Sequence, residues 1–208
     1  MDKKDMIFIG VIESNKNKKT INTIESVLIK FDYNIIYTNE FKNILYLKYE
    51  NKIIVIININ LKYMDYYKGL GIRFDILIHN FMNRKEYNKE IFIPPFRECK
   101  YYIINSDDPN WNLLPINSVE GAVINYGYNN KSTLTISSHN IENIIKANLY
   151  LQRELETFRQ DKIDPFEFTI EINSQDKWDI YPVLAATALN LILFNEKVPI
   201  KYYKTIKI

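Results

Sequence analysis

Continuous apolar runs alternate with polar, helix-spaced segments along this chain. The first run is Met6-Ile7-Phe8-Ile9-Gly10-Val11-Ile12. Uninterrupted β-branched runs of this length suit a strand buried on both faces of a parallel sheet. Residues 13–20 form a polar loop. Ile21, Ile24, Val27, Leu28 and Phe31 then recur at helical spacing, and residues 33–36 read as another strand. Strand, loop, amphipathic helix and strand in this order predict a βαβ unit. Runs 44–49 and 53–59 flank Glu50-Asn51-Lys52 and predict a hairpin. Residues 61–68 read as a short helix before Gly69-Leu70-Gly71, and residues 74–78 as a strand ending at His79-Asn80. Residues 81–100 look irregular, and Pro94-Pro95 excludes helix there.

The centre of the chain is organised around residues 101–128. An apolar strand, Tyr101-Tyr102-Ile103-Ile104, runs into the turn Asn105-Ser106-Asp107-Asp108-Pro109. A helix-like segment follows, then a second strand closing on Tyr126-Gly127. Carboxylates and amides thereby fall at the C-terminal edge of a parallel sheet, where open α/β sheets bind ligands. Residues 134–172 change character. Partial alternation at 134–136, 147–155 and 166–172, with a turn at 158–164, predicts a small antiparallel section, although residues 141–155 also fit a helix by pattern alone. Residues 182–194 predict a helix, with Pro182 in its first turn and Ala185, Ala186 and Ala188 among leucines. Residues 198–206 read as a last short helix. The expected fold is α/β: a P-loop-type, mostly parallel sheet in three layers, flanked by helices, with the antiparallel section near 134–172.

Composition narrows the function classes. The chain has 208 residues, 47% of them hydrophobic and 25% charged, with a net charge of +2. That suits one large domain with a real core. No basic stripe points to nucleic acid. Cys99 is alone, so neither a disulfide framework nor a cysteine metal site forms within one chain. The first apolar run is too short for a secretory leader, and no run reaches membrane-spanning length. A soluble, cytoplasmic protein without membrane contact is expected. Abundant Ile, Asn, Lys and Tyr beside few glycines reads as base-composition bias.

Four words of the sequence, in order, resemble the central ATP-binding domain of the Mur ligase family, which includes peptidoglycan-building ligases, folylpolyglutamate synthase and cyanophycin synthetase. Residues 9–20, from Ile9-Gly10 to Thr20, stand where that family has a strand, a Gly-Thr-Asn-Gly-Lys-Thr phosphate loop and a helix. Residues 69–80, opening on Gly69-Leu70-Gly71 and closing on His79-Asn80, resemble its Gly-rich turn and Thr-Asn strand end, with a slight lean toward the cyanophycin-synthetase branch. Asn105 to Pro109 with Tyr126-Gly127 resembles Asn-x-Asp-Asp-Pro and Tyr-Gly. Residues 179–186 resemble the closing Asn-x-x-Asn-x-x-Ala-Ala helix. The resemblance implies one central-type domain over residues 1–208, without the acceptor and amino-acid domains of full ligases. It implies ATP and magnesium as cofactors, with Ser14, Asn15, Lys18, Lys19, Thr20, Asn105 and Asp108 as candidate nucleotide contacts.

The departures from that pattern concern chemistry. Glu13 and either Lys16 or Lys18 fall at the loop's glycine positions, and Glu13 sets negative charge against phosphate. Lys18-Lys19-Thr20 matches Gly-Lys-Thr only with one inserted residue. A remodelled nucleotide loop and a solvated strand–helix loop are both open, and the second is favoured. The family's magnesium-binding acid is replaced by Asn58 in Ile57-Asn58-Ile59-Asn60, with Asp65 on the next helix. Arg84-Lys85 replaces its Asp-His, and Lys89 is the nearest counterpart of its carbamylated lysine. Asp176, Asp179 and Pro182 replace the Gly, Asn and Asn near the adenine. His79 reads as a strand-end histidine without an adjoining carboxylate cluster, and His139 precedes a turn without a role. Asn105, Asp107 and Asp108 read first as turn and cap residues.

No catalytic residue and no metal ligand is assigned. The favoured expectation is a non-catalytic scaffold or regulator partnering a Mur-type amide ligase or a second copy of itself. The alternatives are an ATP-binding subunit of an amide ligase, acting through an acyl phosphate, and a module that binds ATP without hydrolysing it. The Tyr-rich segments 63–67 and 202–203 are candidate contact surfaces.

Overall fold

The computed structural model describes residues 6–14, 19–39, 43–87, 97–114, 116–194 and 206–207. In chain order the elements are β1 (Met6–Ile12), α1 (Lys19–Lys30), β2 (Asn34–Thr38), β3 (Ile44–Tyr49), β4 (Lys52–Asn58), α2 (Met64–Gly69), β5 (Ile76–His79), β6 (Tyr101–Asn105), β7 (Ala122–Gly127), β8 (Leu134–Ile141), β9 (Ile145–Leu151), β10 (Leu155–Glu156), β11 (Lys162–Ile163), β12 (Phe166–Asn173), α3 (Ile180–Leu193) and β13 (Ile206–Lys207). Among the described residues eleven strands form one sheet, in the order β13-β12-β9-β8-β7-β6-β5-β1-β4-β3-β2. Parallel pairing is unbroken from β4 through β1, β5, β6 and β7 to β8. The expected mostly parallel α/β sheet is therefore present.

Strand apolarity follows from burial on two sides. Ile9 and Val11 of β1 point into one core with Ile21, Ile24, Val27 and Leu28 of α1 and most of α3. Ile12 points into a second core with Val55, Ile57, Leu77, Tyr102 and Ile104. Each such side chain, taken fully out of water, contributes about 2 kcal/mol. All fourteen residues of α3 are buried, so it carries no polar face. It begins at Ile180, two residues before the expected start. Pro182 still lies in the first turn, where its missing N–H leaves no helix bond unmade. The stacked rings of Phe31 and Phe194, with centroids 4.7 Å apart, join the far ends of α1 and α3.

The structure corrects the sequence reading at several elements. β1, α1 and β2 do not form a simple βαβ unit, because the β3–β4 hairpin is inserted between β1 and β2. β2 reaches the sheet edge and pairs antiparallel with β3. Residues 145–151 form strand β9, in keeping with the antiparallel reading; only the alternative helix over 141–155 falls, because alternating Ile145, Ala147, Leu149 and Leu151 are the buried positions. The antiparallel section is larger than expected: β8, β9 and β12 are full strands of the main sheet. His139 lies inside β8, shortly ahead of the turn at 142–144 that leads into β9. The helix-like segment after Pro109 is a pair of single 3-10 turns, Trp111–Leu113 and Ile116–Ser118. Ile206 is a strand residue paired with Ile172, which ends the expected helix over 198–206 at that point. Residues 195–205 otherwise lie outside the described residues, as do Pro94-Pro95.

Candidate functional site

The parallel strands β1, β5, β6 and β7 end side by side, and their last residues build one polar edge. At the end of β6 the Asn105 side chain accepts a hydrogen bond from the Asp107 backbone N–H at 3.0 Å. The Asp107 carboxylate accepts from the Tyr128 N–H at 2.6 Å and the Tyr181 hydroxyl at 3.2 Å. Its bulk explains Gly127: a Cβ there would sit 2.7 Å from the Asp107 carboxylate, at a backbone φ of +150°. Tyr126 buries its ring fully and donates its hydroxyl to the His79 carbonyl at 3.0 Å.

Asp108 is enclosed. Its Oδ2 accepts from the Met82 N–H at 2.9 Å and the Tyr87 hydroxyl at 2.7 Å, and its Oδ1 from the Asn110 N–H at 2.8 Å. Burial pushes this carboxyl up, but hydrogen bonds from His79, Asn110, Tyr87 and Met82 together outweigh burial and hold it at about 2. His79 Nε2 lies 2.7 Å from the Tyr87 hydroxyl and 3.5 Å from Asp108 Oδ2. Burial lowers the imidazole pKa against the opposing pull of Asp108. A neutral ring therefore faces a carboxylate. Because Tyr87 gives its proton to Asp108, the His79 proton belongs on Nε2. Nδ1 is buried and has no hydrogen-bond partner among the described residues. A carboxylate thus adjoins His79 after all, 29 residues further along the chain.

A second chain of hydrogen bonds crosses from β6 to β1. Asn105 Nδ2 donates to Asn80 Oδ1 at 3.1 Å, and Asn80 Nδ2 donates to Thr20 Oγ1 at 2.8 Å. The Thr20 backbone N–H, in the first turn of α1, donates to Glu13 Oε2 at 3.2 Å. Thr20 and Asn105 are fully buried. Beside them Lys19 Nζ donates to Asp179, at the start of α3, and to Asp176 at 3.1 Å. The Asp179 contact is the main reason the Lys19 pKa is raised. Asp179 also accepts from the Ser174 hydroxyl. The N-termini of α1 and α3 are thereby tied together by opposite charges.

A cavity of about 400 Å³ opens next to this network. Glu13, Ser14, Lys19 and Asn80 form its polar side, and Phe81, Pro109, Trp178 and Pro182 its apolar side. Phe81 meets Trp178 edge-on, with centroids 5.4 Å apart, and Tyr181 at 4.6 Å. Trp178 is half exposed above this cluster.

The sequence candidates divide accordingly. Ser14, Lys19, Thr20, Asn105 and Asp108 gather at the strand ends, and Ser14 and Lys19 line the cavity. Asn15, Lys18 and the alternative Lys16 lie outside the described residues, as does Lys89. α1 begins at Lys19, so the lysine and threonine at the helix start are Lys19 and Thr20. Asn58 ends β4 and Asp65 lies on α2, as expected. Phe81, Tyr87 and Trp178 were not anticipated, and no local motif marks them. Among the described residues no three His, Cys, Asp or Glu side chains form a metal-binding group.

Among the described residues, the donors at this edge do not fit a magnesium-bound triphosphate. The helix amide that would face phosphate is held by Glu13, the lysine is neutralised by two aspartates, and the threonine hydroxyl accepts from Asn80. Anions are favoured at a helix N-terminus only where its N–H groups are available.

No protein-family model and no curated protein matches the sequence. Among solved structures, the crystal structure of a murein peptide ligase from Psychrobacter arcticus superposes with a TM-score of 0.64 at 10% identity. The match covers 96% of this chain and 46% of that ligase, so the chain spans somewhat under half of the ligase's length. The likeness shows a Mur ligase-like fold.

Proposed function

We propose that this chain is a pseudoenzyme with a Mur ligase-like central domain, acting as a cytoplasmic scaffold or regulatory partner of a Mur-type amide ligase. One observation carries the reading: the Glu13 carboxylate takes the Thr20 amide at the N-terminus of α1, where a nucleotide ligase of this fold would hold phosphate. A carboxylate there repels a polyphosphate and satisfies one of the helix-start donors that would bind it. The Lys19 pairing with Asp176 and Asp179 acts in the same direction. The reading assigns no catalytic residue, and peptidoglycan, polyglutamate and cyanophycin-like chemistry all fit it.

Titration calorimetry with ATP and magnesium tests the first half. The expected result is no saturable heat, with any Kd weaker than about 1 mM. Micromolar binding refutes the closed cradle. If Lys19→Ala then left that binding unchanged, Lys19 would not be the phosphate lysine. The partner half is tested by adding the chain to a Mur-type ligase of the same organism and following phosphate release. A saturable change in rate is expected, and an unchanged rate counts against regulation.

A second reading, an ATP-binding subunit of an amide ligase, is favoured by the open cavity with Trp178 and Phe81 on its wall. It requires the Lys19 pairs to open, and predicts ATP binding only in the presence of the partner.

A further inference from the structure

The cavity beside Lys19 sets charge against aromatic rings. Its volume of about 400 Å³ lies in the range of sites for small organic ligands. It stands at the C-terminal edge of the parallel strands, where α/β sheets take ligands. Its walls are fixed in place. The Ser14 backbone N–H donates to the Phe81 carbonyl at 3.0 Å, which holds Phe81 beside the end of β1. Asn80 accepts from Asn105 Nδ2 and from the Phe81 N–H at 2.8 Å, and donates to Thr20. Phe81, Trp178 and Tyr181 pack ring against ring. Little has to be ordered when a ligand enters such a site.

Two charged side chains reach the lining, Glu13 and Lys19. They are not equivalent. Lys19 is turned to Asp176 and Asp179, which together outweigh its single charge. Glu13 is 7% exposed, and its Oε2 takes the neutral Thr20 N–H. A carboxylate has about four acceptor positions, so one amide does not exhaust it. Exposed Lys177 belongs to the rim, with its Nζ 5.5 Å from the Trp178 ring centroid. The described residues around the cavity thus set three carboxylates, Glu13, Asp176 and Asp179, against two ammonium groups. One positive charge on a ligand balances that excess.

We infer that this cavity binds a small organic cation, a primary amine on an apolar or aromatic body; the inference rests on the proposed closure of the cradle to phosphate. The ammonium donates to Glu13, and the body lies against Phe81, Trp178, Pro109 and Pro182. A charge-assisted hydrogen bond is roughly twice as strong as a neutral one, and a carboxylate already withdrawn from water gains most from a cation. A neutral ligand of the same shape keeps the apolar contacts and loses this bond. An anion meets the carboxylate excess instead.

The probes are 2-phenylethylamine, a cation at pH 7, and two molecules of similar shape, neutral 2-phenylethanol and anionic phenylacetate. Each is titrated into the full chain carrying Trp111→Phe, so that fluorescence reports Trp178 alone. The amine is expected to saturate with Kd below about 1 mM, and the alcohol and the acid to bind at least about tenfold more weakly. Glu13→Gln keeps an acceptor for the Thr20 N–H and removes the charge. It should weaken the amine at least about tenfold and leave the alcohol unchanged, with the urea midpoint checking that the variant is folded. Replacing Lys16 and Lys18, which lie outside the described residues, by Ala should not weaken the amine. Equal binding of the three probes, tightest binding of the acid, or no binding of the amine up to about 10 mM overturns the inference. So does amine binding that Glu13→Gln leaves intact or that loss of the two loop lysines weakens. ATP with magnesium in the same assay separates the two failures. Micromolar ATP binding refutes the closed cradle, whereas absence of both ATP and amine binding refutes the cation site alone.

Discussion

Replacing Asp108 by Asn changes one atom and removes a buried charge from the turn that closes β6. The carboxylate is about 1% exposed and sits at about 2 against an ordinary 3.8. That difference corresponds to about 2.5 kcal/mol of folding stability. The folded value lies below the unfolded one. The contribution is therefore complete above pH 3.8 and disappears as pH falls through 2. The amide adds a second cost. Its NH₂ must face either the Asn110 N–H or the Met82 N–H and Tyr87 hydroxyl, and a donor left unpaired in the interior costs about 1–3 kcal/mol. Asp108→Asn is expected to lower stability at pH 7 by roughly 4 kcal/mol. Urea unfolding followed by Trp111 and Trp178 fluorescence measures this. Repeating it between pH 5 and pH 2 should show the two proteins converging, because acid removes the same charge from the wild type. Equal stability at pH 7, or a gap that stays constant across this pH range, refutes the reasoning.

Further substitutions probe neighbouring parts of the edge. Gly127→Ala drives a Cβ against Asp107 and is expected to cost about 2–3 kcal/mol in urea unfolding. Asn80→Ala leaves the buried Thr20 hydroxyl and Asn105 amide without their partner and should cost about 2–4 kcal/mol. His79 is held below its ordinary value by burial, so the unfolded chain takes up its proton first. Stability should fall as pH drops below about 6.5, and His79→Gln should flatten that decline between pH 7 and pH 5. Lys19→Met removes two ion pairs and leaves the buried Asp179 carboxylate without its cation, so urea unfolding is expected to show a loss of about 1–3 kcal/mol.

Where local pattern decides structure, the sequence was legible. The strands β1, β4, β5, β6 and β7 followed from continuous apolar runs, and α1 from the spacing of Ile21, Ile24, Val27 and Leu28. The turn at Asn105–Pro109 was legible as a turn, because Asp and Asn side chains readily bond the backbone N–H two residues on. What the sequence left open was long-range. Nothing near residue 145 says that Ile145 to Leu151 pairs on both sides in a sheet. An alternating segment with helical spacing beside it supports either structure until its neighbours are known. The same holds at the site. Glu13 was recognised as hostile to phosphate, but its bond to Thr20 depends on where α1 begins. Asp176 and Asp179 were noted as missing glycine and asparagine. Their pairing with Lys19 has no local signal, because the partners meet only in the folded chain. Tyr87 and Asp108 likewise meet at His79 from opposite ends of a connection about which sequence periodicity says little.

The burial of α3 on every side governs the order in which the molecule can assemble. Its neighbours on the sheet and in α1 were synthesised long before it, and Lys19 waits for an aspartate 160 residues downstream. Until α3 leaves the ribosome, β6 and β7 lack the helix that packs against them. The nascent chain therefore carries that apolar surface until residues 180–193 emerge, and closure joins Lys19 to Asp179, 160 residues downstream. High contact order of this kind slows folding and prolongs exposure to aggregation. Holdase chaperones thus have their natural substrate in the chain as it stands before residue 180.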